Sequence, residues 1–274
     1  VSKLFQRAYV LTVDTTRITG LRVAFSIKKT LKPEPNTAEI RVWNLNAERR
    51  KSIKDRHVAC VLTGGYLESA GLLFSGDARF ITHTQTGPDW VSKIVCGDGE
   101  RAYSLDRVSA SFGPGTPVAA VMDSVAGTLQ GISTGNVKQA LAGVGGVFKN
   151  GFAAADNSFK TLQSLSRSQG LNLSIQDGAF SLLSENGLEP GTAILLTPET
   201  GLVGSPETAS PEKKGGALRV KARSLLQANL RPGRAVELRS AAIAGVFRVE
   251  VVEHKGDTHG GEWYTDLELK PVTL

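Results

Sequence analysis

Apolar and polar residues alternate with a period of two along much of the chain. Arg7-Ala8-Tyr9-Val10-Leu11-Thr12-Val13 and Leu21-Arg22-Val23-Ala24-Phe25-Ser26-Ile27 read as strands with one buried face. After the loop Lys32-Pro33-Glu34-Pro35-Asn36, the pattern repeats in Ala38-Glu39-Ile40-Arg41-Val42-Trp43. Asn46 then predicts the N-cap of a short helix running through Asp55. Strand signals return at Val58 to Thr63, Leu72 to Ile81 and Trp90 to Cys96, punctuated by Gly64-Gly65-Tyr66 and Gly87-Pro88-Asp89. Strands at this spacing with Gly and Pro between them predict a barrel or sandwich.

The period changes in the middle of the chain. Thr116 predicts an N-cap with Pro117 at the first helical position, and apolar residues then recur at helical spacing to Ala126. Gly143 to Gly151 reads as a flexible break. Asp156 predicts the cap of a second helix, with Phe159, Leu162 and Leu165 on one face. Leu171 to Ile175, the turn Gln176-Asp177-Gly178, and Ala179 to Leu183 predict a hairpin. The last third is extended again over Ala193–Thr197, Ala217–Ser224, Ala235–Ser240, Gly245–His254 and Glu262–Lys270. The expected fold class is therefore mainly β with an α+β insert. The expected domains are a β barrel over 1–105, an α+β insert over 106–190 and a second β barrel over 191–274.

The length of 274 residues suits this plan, since each part falls in the usual domain range. With 41% hydrophobic residues the chain is expected to fold, and two cysteines do not make a disulfide scaffold. No run approaches the roughly 18 apolar residues of a membrane span, so no membrane insertion is expected. Val1 to Val10 has no apolar core behind Lys3 and Arg7, so no secretory signal is expected there.

The net charge of +6 narrows on division. Residues 1–105 hold 16 basic and 10 acidic side chains, while the other two thirds nearly cancel. Arg49, Arg50, Lys51, Lys54 and Arg56 make up much of the excess. On a short helix they read as a solvated face and as a basic contact patch for a subunit or partner. Aromatic residues at 6% offer no stacking platform for nucleic acid. A duplex-binding module built on this patch is the third functional class to weigh, and it predicts salt-sensitive binding.

Chemistry is sparse. His254, Asp257 and His259, flanked by Glu253 and Glu262, are the residue types of a zinc site, but nothing in the sequence aims the two imidazoles together. A polar turn between strands is the plainer reading. Gly143 to Gly151 lacks the Lys-Ser/Thr ending of a phosphate loop. No Gly-x-Ser-x-Gly elbow occurs, and the carboxylates do not pair as in a glycosidase. Cys60 and Cys96 lie in strands of one β segment and read as small buried thiols, with a disulfide left open. Neither a cofactor nor catalysis is expected.

Several motifs taken in order resemble the baseplate central hub proteins of contractile phage tails and their prophage relatives. They are Val42-Trp43-Asn44-Leu45-Asn46, Leu62-Thr63-Gly64-Gly65-Tyr66, Leu73-Phe74-Ser75-Gly76-Asp77 and Val95-Cys96-Gly97-Asp98-Gly99-Glu100-Arg101-Ala102-Tyr103. Later come Leu196-Thr197-Pro198-Glu199-Thr200-Gly201, Leu230-Arg231-Pro232-Gly233 and His254 to Trp263. The resemblance implies two tail-tube-like barrels with a peripheral α+β domain, and a homotrimer forming a pseudo-sixfold ring. It implies a non-enzymatic hub joining the tail tube to the spike or tip protein, beside baseplate wedge and tape-measure proteins. Phage DNA would pass through transiently, in a virion assembled in the host cytoplasm. Strand edges would suit pairing between copies. The alternatives are a distal tail or tube adaptor of a non-contractile tail and, in another class, a metal-dependent hydrolase using His254, Asp257 and His259.

Overall fold

The alternating segments become strands that bury most of their apolar members on one side, with Leu72, Phe80 and Leu195 left exposed. The computed structural model describes residues 6–53, 57–133, 141–209 and 218–272. In the first third these are β1 (Arg7–Val13), β2 (Thr16–Ile18), β3 (Val23–Thr30), β4 (Thr37–Trp43), β5 (Ala59–Tyr66), β6 (Gly71–Thr86) and β7 (Asp89–Gly97). The middle carries β8 (Arg107–Phe112), β9 (Thr116–Pro117), β10 (Val147–Phe148), β11 (Phe152–Asn157), β12 (Leu171–Gln176) and β13 (Ala179–Ser184). The last third carries β14 (Ile194–Leu196), β15 (Leu202–Ala209), β16 (Arg219–Leu225), β17 (Ala235–Arg239), β18 (Ala244–Asp257) and β19 (Trp263–Pro271). The protein is mainly β, with a large antiparallel sheet and few helices.

The chain divides into two compact units. One comprises Val1–Thr30, Thr37–Gly97 and Leu188–Leu274; the other comprises Leu31–Asn36 and Asp98–Gly187. In the first unit, strands of the first and last thirds share one sheet in the order β15-β16-β19-β18-β3-β4-β7-β6-β5-β1-β2. β17 pairs with β18 off this path, and β14 pairs with β17 in parallel. Two apolar clusters lie against the sheet. The first gathers Leu11, Ile27, Ile40, Leu62, Phe74 and Ile94, among others, and also takes in Trp263. The second gathers Leu196, Leu230, Val236, Leu238, Val249 and Leu267 with their neighbours.

β18 connects the two clusters. Its Ala244–Arg248 portion pairs with β17, and its Val251–Asp257 portion pairs with β3. The register on β19 shifts between Val249 and Val251, a bulge that lets one strand bend from one core to the other. At the bend the buried Arg248 guanidinium pairs with Glu250 at 2.6 Å. Beyond it, Trp263 packs edge-on against Phe25, with ring centroids 5.5 Å apart, and its Nε1–H donates to the Gly65 carbonyl at 3.2 Å. Gly256 is required there: a Cβ would fall 2.4 Å from Cζ of Phe25.

The sheet's terminal strands are blunt. β2 is three residues long, and the β15–β16 register breaks between Val203 and Glu207, around Gly204 and Pro206. These are devices that discourage strand addition.

The second unit packs the helices Val118–Ala126 and Ser158–Ser168 with β8–β11 and the β12–β13 hairpin around Met122, Phe159, Leu162, Ile175 and Phe180. Three local expectations are corrected. Asn157, not Asp156, caps the later helix: its Oδ1 accepts from the Lys160 amide at 2.9 Å, the reach a cap needs when the helix begins at Ser158. Pro117, not Thr116, occupies the cap of the earlier helix, which begins at Val118; Thr116 and Pro117 both pair with Val147–Phe148 just before it. The Gly-rich stretch is folded: Val147–Phe148 is a strand, and the Val118 amide donates to Gly146 at 3.1 Å.

A buried polar knot fixes the hairpin within this unit. The Asp98 carboxylate accepts from the amides of Asp177 (2.6 Å) and Gly178 (2.9 Å). The Asn36 amide donates to the Ile175 carbonyl at 2.9 Å and to Gln176 at 3.0 Å. In the sequence Asp98 stood only as part of a turn motif.

Candidate interaction surfaces

The His254 to Trp263 segment folds as a braced turn. His254 lies inside β18 rather than at its end, 1% exposed, with Nδ1 2.9 Å from the Thr265 hydroxyl. Burial, reinforced by the positive charge of Lys29, lowers its pKa to about 3. Asp257 instead meets Arg22, with Nε–Oδ1 at 3.2 Å and Nη2–Oδ2 at 2.7 Å, and this contact holds its carboxyl below the usual range. His259 is exposed and sits 3.0 Å from the Thr258 hydroxyl. Arg7 clamps the turn from the other side, donating to the carbonyls of Asp257 (2.8 Å), Gly260 (2.6 Å) and Gly261 (3.3 Å). Each candidate metal ligand is thus engaged separately. Among the described residues no group of three or more His, Cys, Asp or Glu is arranged to hold a metal.

The basic patch is only partly a free surface. Asn46 caps the helix Ala47–Ser52 by accepting from the Arg49 amide at 2.9 Å. Arg49 and Lys51 are exposed, but Arg50 folds back over the Trp90 ring at 4.0 Å and donates to the Leu45 carbonyl. Lys54 and Arg56 lie outside the described residues.

Cys60 and Cys96 are both buried and unbonded. They stand on β5 and β7, on either side of β6, and the Cys96 thiol meets Cys60 in the core. That hydrogen bond, with burial, raises the Cys96 pKa.

The most extensive polar feature was invisible in the sequence because it depends on register. On β16, β19, β18, β3, β4 and β7, the residues between the buried ones form a charged face. Arg223 bonds Asp266 at 2.6 Å, and Lys255 bonds Glu253 at 3.0 Å and lies 3.8 Å from Asp266. The Ser26 hydroxyl reaches Glu253 at 3.4 Å and stands opposite Glu39 in register. Glu39 in turn holds Lys93 at 2.9 Å and Arg41 at 2.6 Å, contacts that keep its carboxyl acidic, Lys93 first. Cross-strand ion pairs therefore join β16, β19 and β18 on one side and β4 and β7 on the other, with the Ser26 hydroxyl of β3 between them. A shallow groove of about 640 Å³ opens on this face beside Lys28 and Lys221.

No protein-family model matches the sequence, and no curated protein matches it. Solved structures match in fold. The 43 kDa tail protein of prophage MuSo2 from Shewanella oneidensis superposes with a TM-score of 0.66, covering 97% of this chain and 98% of its own, at 9% identity. The tail protein from Neisseria meningitidis gives 0.65 over 97% of both chains, at 10% identity. The E. coli c3393 protein is a component of the type VI secretion system with structural similarity to the T4 bacteriophage tail proteins gp27 and gp5. It gives 0.61 over 96% of this chain and 77% of its own, at 9% identity. At such identities the likeness is one of fold, and it extends over nearly the whole chain.

Proposed function

We propose that this protein is a structural, non-enzymatic hub of a phage-type tail baseplate. Three copies, each supplying two barrel-like halves, form a pseudo-sixfold ring that joins a hexameric tail tube to a trimeric spike and leaves a channel for DNA. In this reading residues 1–105 and 191–274 are the two barrels and 106–190 the peripheral insert. The observation that carries it is the fold likeness to two prophage tail proteins over 97% or more of both chains. Supporting it are the two apolar clusters on one shared sheet, the first drawn mostly from residues 1–105 and the second from 191–274. The partners assigned are the tube protein, the spike or tip protein, the wedge proteins and the tape measure.

Strand addition would meet the three-residue β2 at one end of the sheet and the interrupted β15 at the other. We therefore assign the contacts between copies to side-chain surfaces, Arg49 and Lys51 among them. Light scattering on the purified protein over a concentration series tests the reading. A mass three times 29.1 kDa is expected, and a stable monomer at high concentration, alone and with tube and spike proteins, overturns it.

A further inference from the structure

We infer that the groove between the β5–β6 turn and β14 docks a peptide segment of a partner, one that carries a leucine-class side chain beside a carboxylate. The groove lies within the first unit and has a volume of about 720 Å³, in the range of preformed binding sites. Gly71 and Leu72 of β6 and Ile194 and Leu195 of β14 line it. None of its lining residues belongs to β16, β19, β18, β3, β4 or β7, so it is separate from the charged sheet face. A single copy supplies all of it, and no ring is needed to complete it.

Apolar exposure and charge both point to that chemistry. Seven large apolar side chains are exposed among the described residues. Leu72, 40% exposed, and Leu195, 39% exposed, both line this groove, and Leu67, 66% exposed, opens the turn beside it. Apolar side chains gathered at one concave place mark a contact surface. The charge is one-sided: Arg231 and Arg234 line the groove and no Asp or Glu does. Glu189 already holds Arg231 at 3.0 Å. Arg234 donates from Nη1 to the Pro190 carbonyl at 3.1 Å and from Nη2 to the Thr192 carbonyl at 3.0 Å, with no carboxylate partner among the described residues. Glu68 and Glu199, exposed on the flanking turns, bond neither arginine. Carbonyls orient a guanidinium without cancelling its charge, so a carboxylate entering the groove is the missing complement.

The walls are set before anything binds. Gln227 Nε2 donates to the Thr200 carbonyl at 2.9 Å, and the Thr200 hydroxyl donates to the Leu195 carbonyl at 2.8 Å. Gly71 approaches the opposite side so closely that a Cβ on it would fall 3.0 Å from the Ala228 Cβ. With the Leu195 carbonyl already bonded, the three-residue β14 offers little backbone to an added strand. Recognition falls to side chains: a leucine-class group covers Leu72 and Leu195, and a neighbouring carboxylate meets Arg234.

Selection from a random peptide library tests this. The library is panned on the wild-type protein and counter-selected on Leu72→Ser/Leu195→Ser. Enriched peptides are expected to place Leu, Ile or Met beside Asp or Glu, and to bind the wild type at least tenfold tighter than the double variant. Replacing the peptide carboxylate by its amide should weaken binding at least tenfold. On the wild-type protein, bound peptide should slow hydrogen exchange at the amides of Leu72 and Leu195. No enriched binder, binders without a carboxylate, or equal binding to a double variant that melts at the wild-type temperature overturns the inference. So does a folded double variant with a smaller mass than the wild type in light scattering, because a second copy then fills the groove. If the double variant does not fold, hydrogen exchange decides: protection at the groove amides sustains the inference, and protection only elsewhere overturns it.

Discussion

Arg22 and Asp257, 235 positions apart, form a two-pronged ion pair that ties the β2–β3 region to the turn after β18. Arg22 also lies over the Trp43 ring at 4.4 Å, so its guanidinium is held from two directions. Asp257→Asn should lower the unfolding temperature modestly, because the pair is partly exposed and screened. The folded-state pKa of Asp257 is depressed, so its contribution is present above the unfolded value near 3.9 and disappears as pH falls below it. Thermal melts of wild type and variant should therefore converge toward pH 3 and separate at pH 7.

His254 imposes a different pH dependence. Its folded pKa, near 3, lies below the unfolded value of 6.5. Between those two pH values the unfolded chain binds a proton that the folded chain refuses. Stability is complete above pH 6.5 and declines as pH falls toward 3. Between pH 7 and 4.5 the loss should be on the order of 2 kcal/mol. In urea unfolding, His254→Gln should remove most of that slope; an unchanged slope would assign it to other groups.

Gly256→Ala should cost about 1–3 kcal/mol, since the added methyl must displace Phe25 or Trp263 in a packed core. The near-ultraviolet circular dichroism of Trp263 reports the shift. A neutral result would mean that the rings move freely.

Asp98→Asn should destabilise the α+β unit by about 2 kcal/mol or more, since two backbone amides lose a charged acceptor in a buried site. Hydrogen exchange should accelerate first at Asp177 and Gly178. Protection unchanged at those amides, with a folded variant, would refute the role given to the carboxylate.

The strands that bury one face were legible because alternation is a local property: Ala38 to Trp43 lies where the pattern placed it, and the strand expected over Leu21 to Ile27 runs from Val23 to Thr30. β15 was missed because Gly204, Ser205 and Pro206 interrupt the alternation at its bulge. The caps were displaced by one residue at Asp156 and Thr116, since adjacent polar residues qualify equally until the first helical turn is fixed. The turn after β18 was legible as polar, but its bracing by Arg7 and Arg22 was not, because those residues lie some 250 positions away. The charged face needed register: Glu39 and Lys93 become neighbours only once β4 and β7 are aligned.

The bend in β18 has a mechanical consequence. A pull on one half of the first unit reaches the other through the alignment of Val251–Asp257 with Ala24–Thr30. Along the strand axis, those hydrogen bonds are loaded together in shear instead of being opened one at a time. The buried Arg248–Glu250 pair sits where the strand would begin to straighten. The strand thus couples the two halves of this unit mechanically.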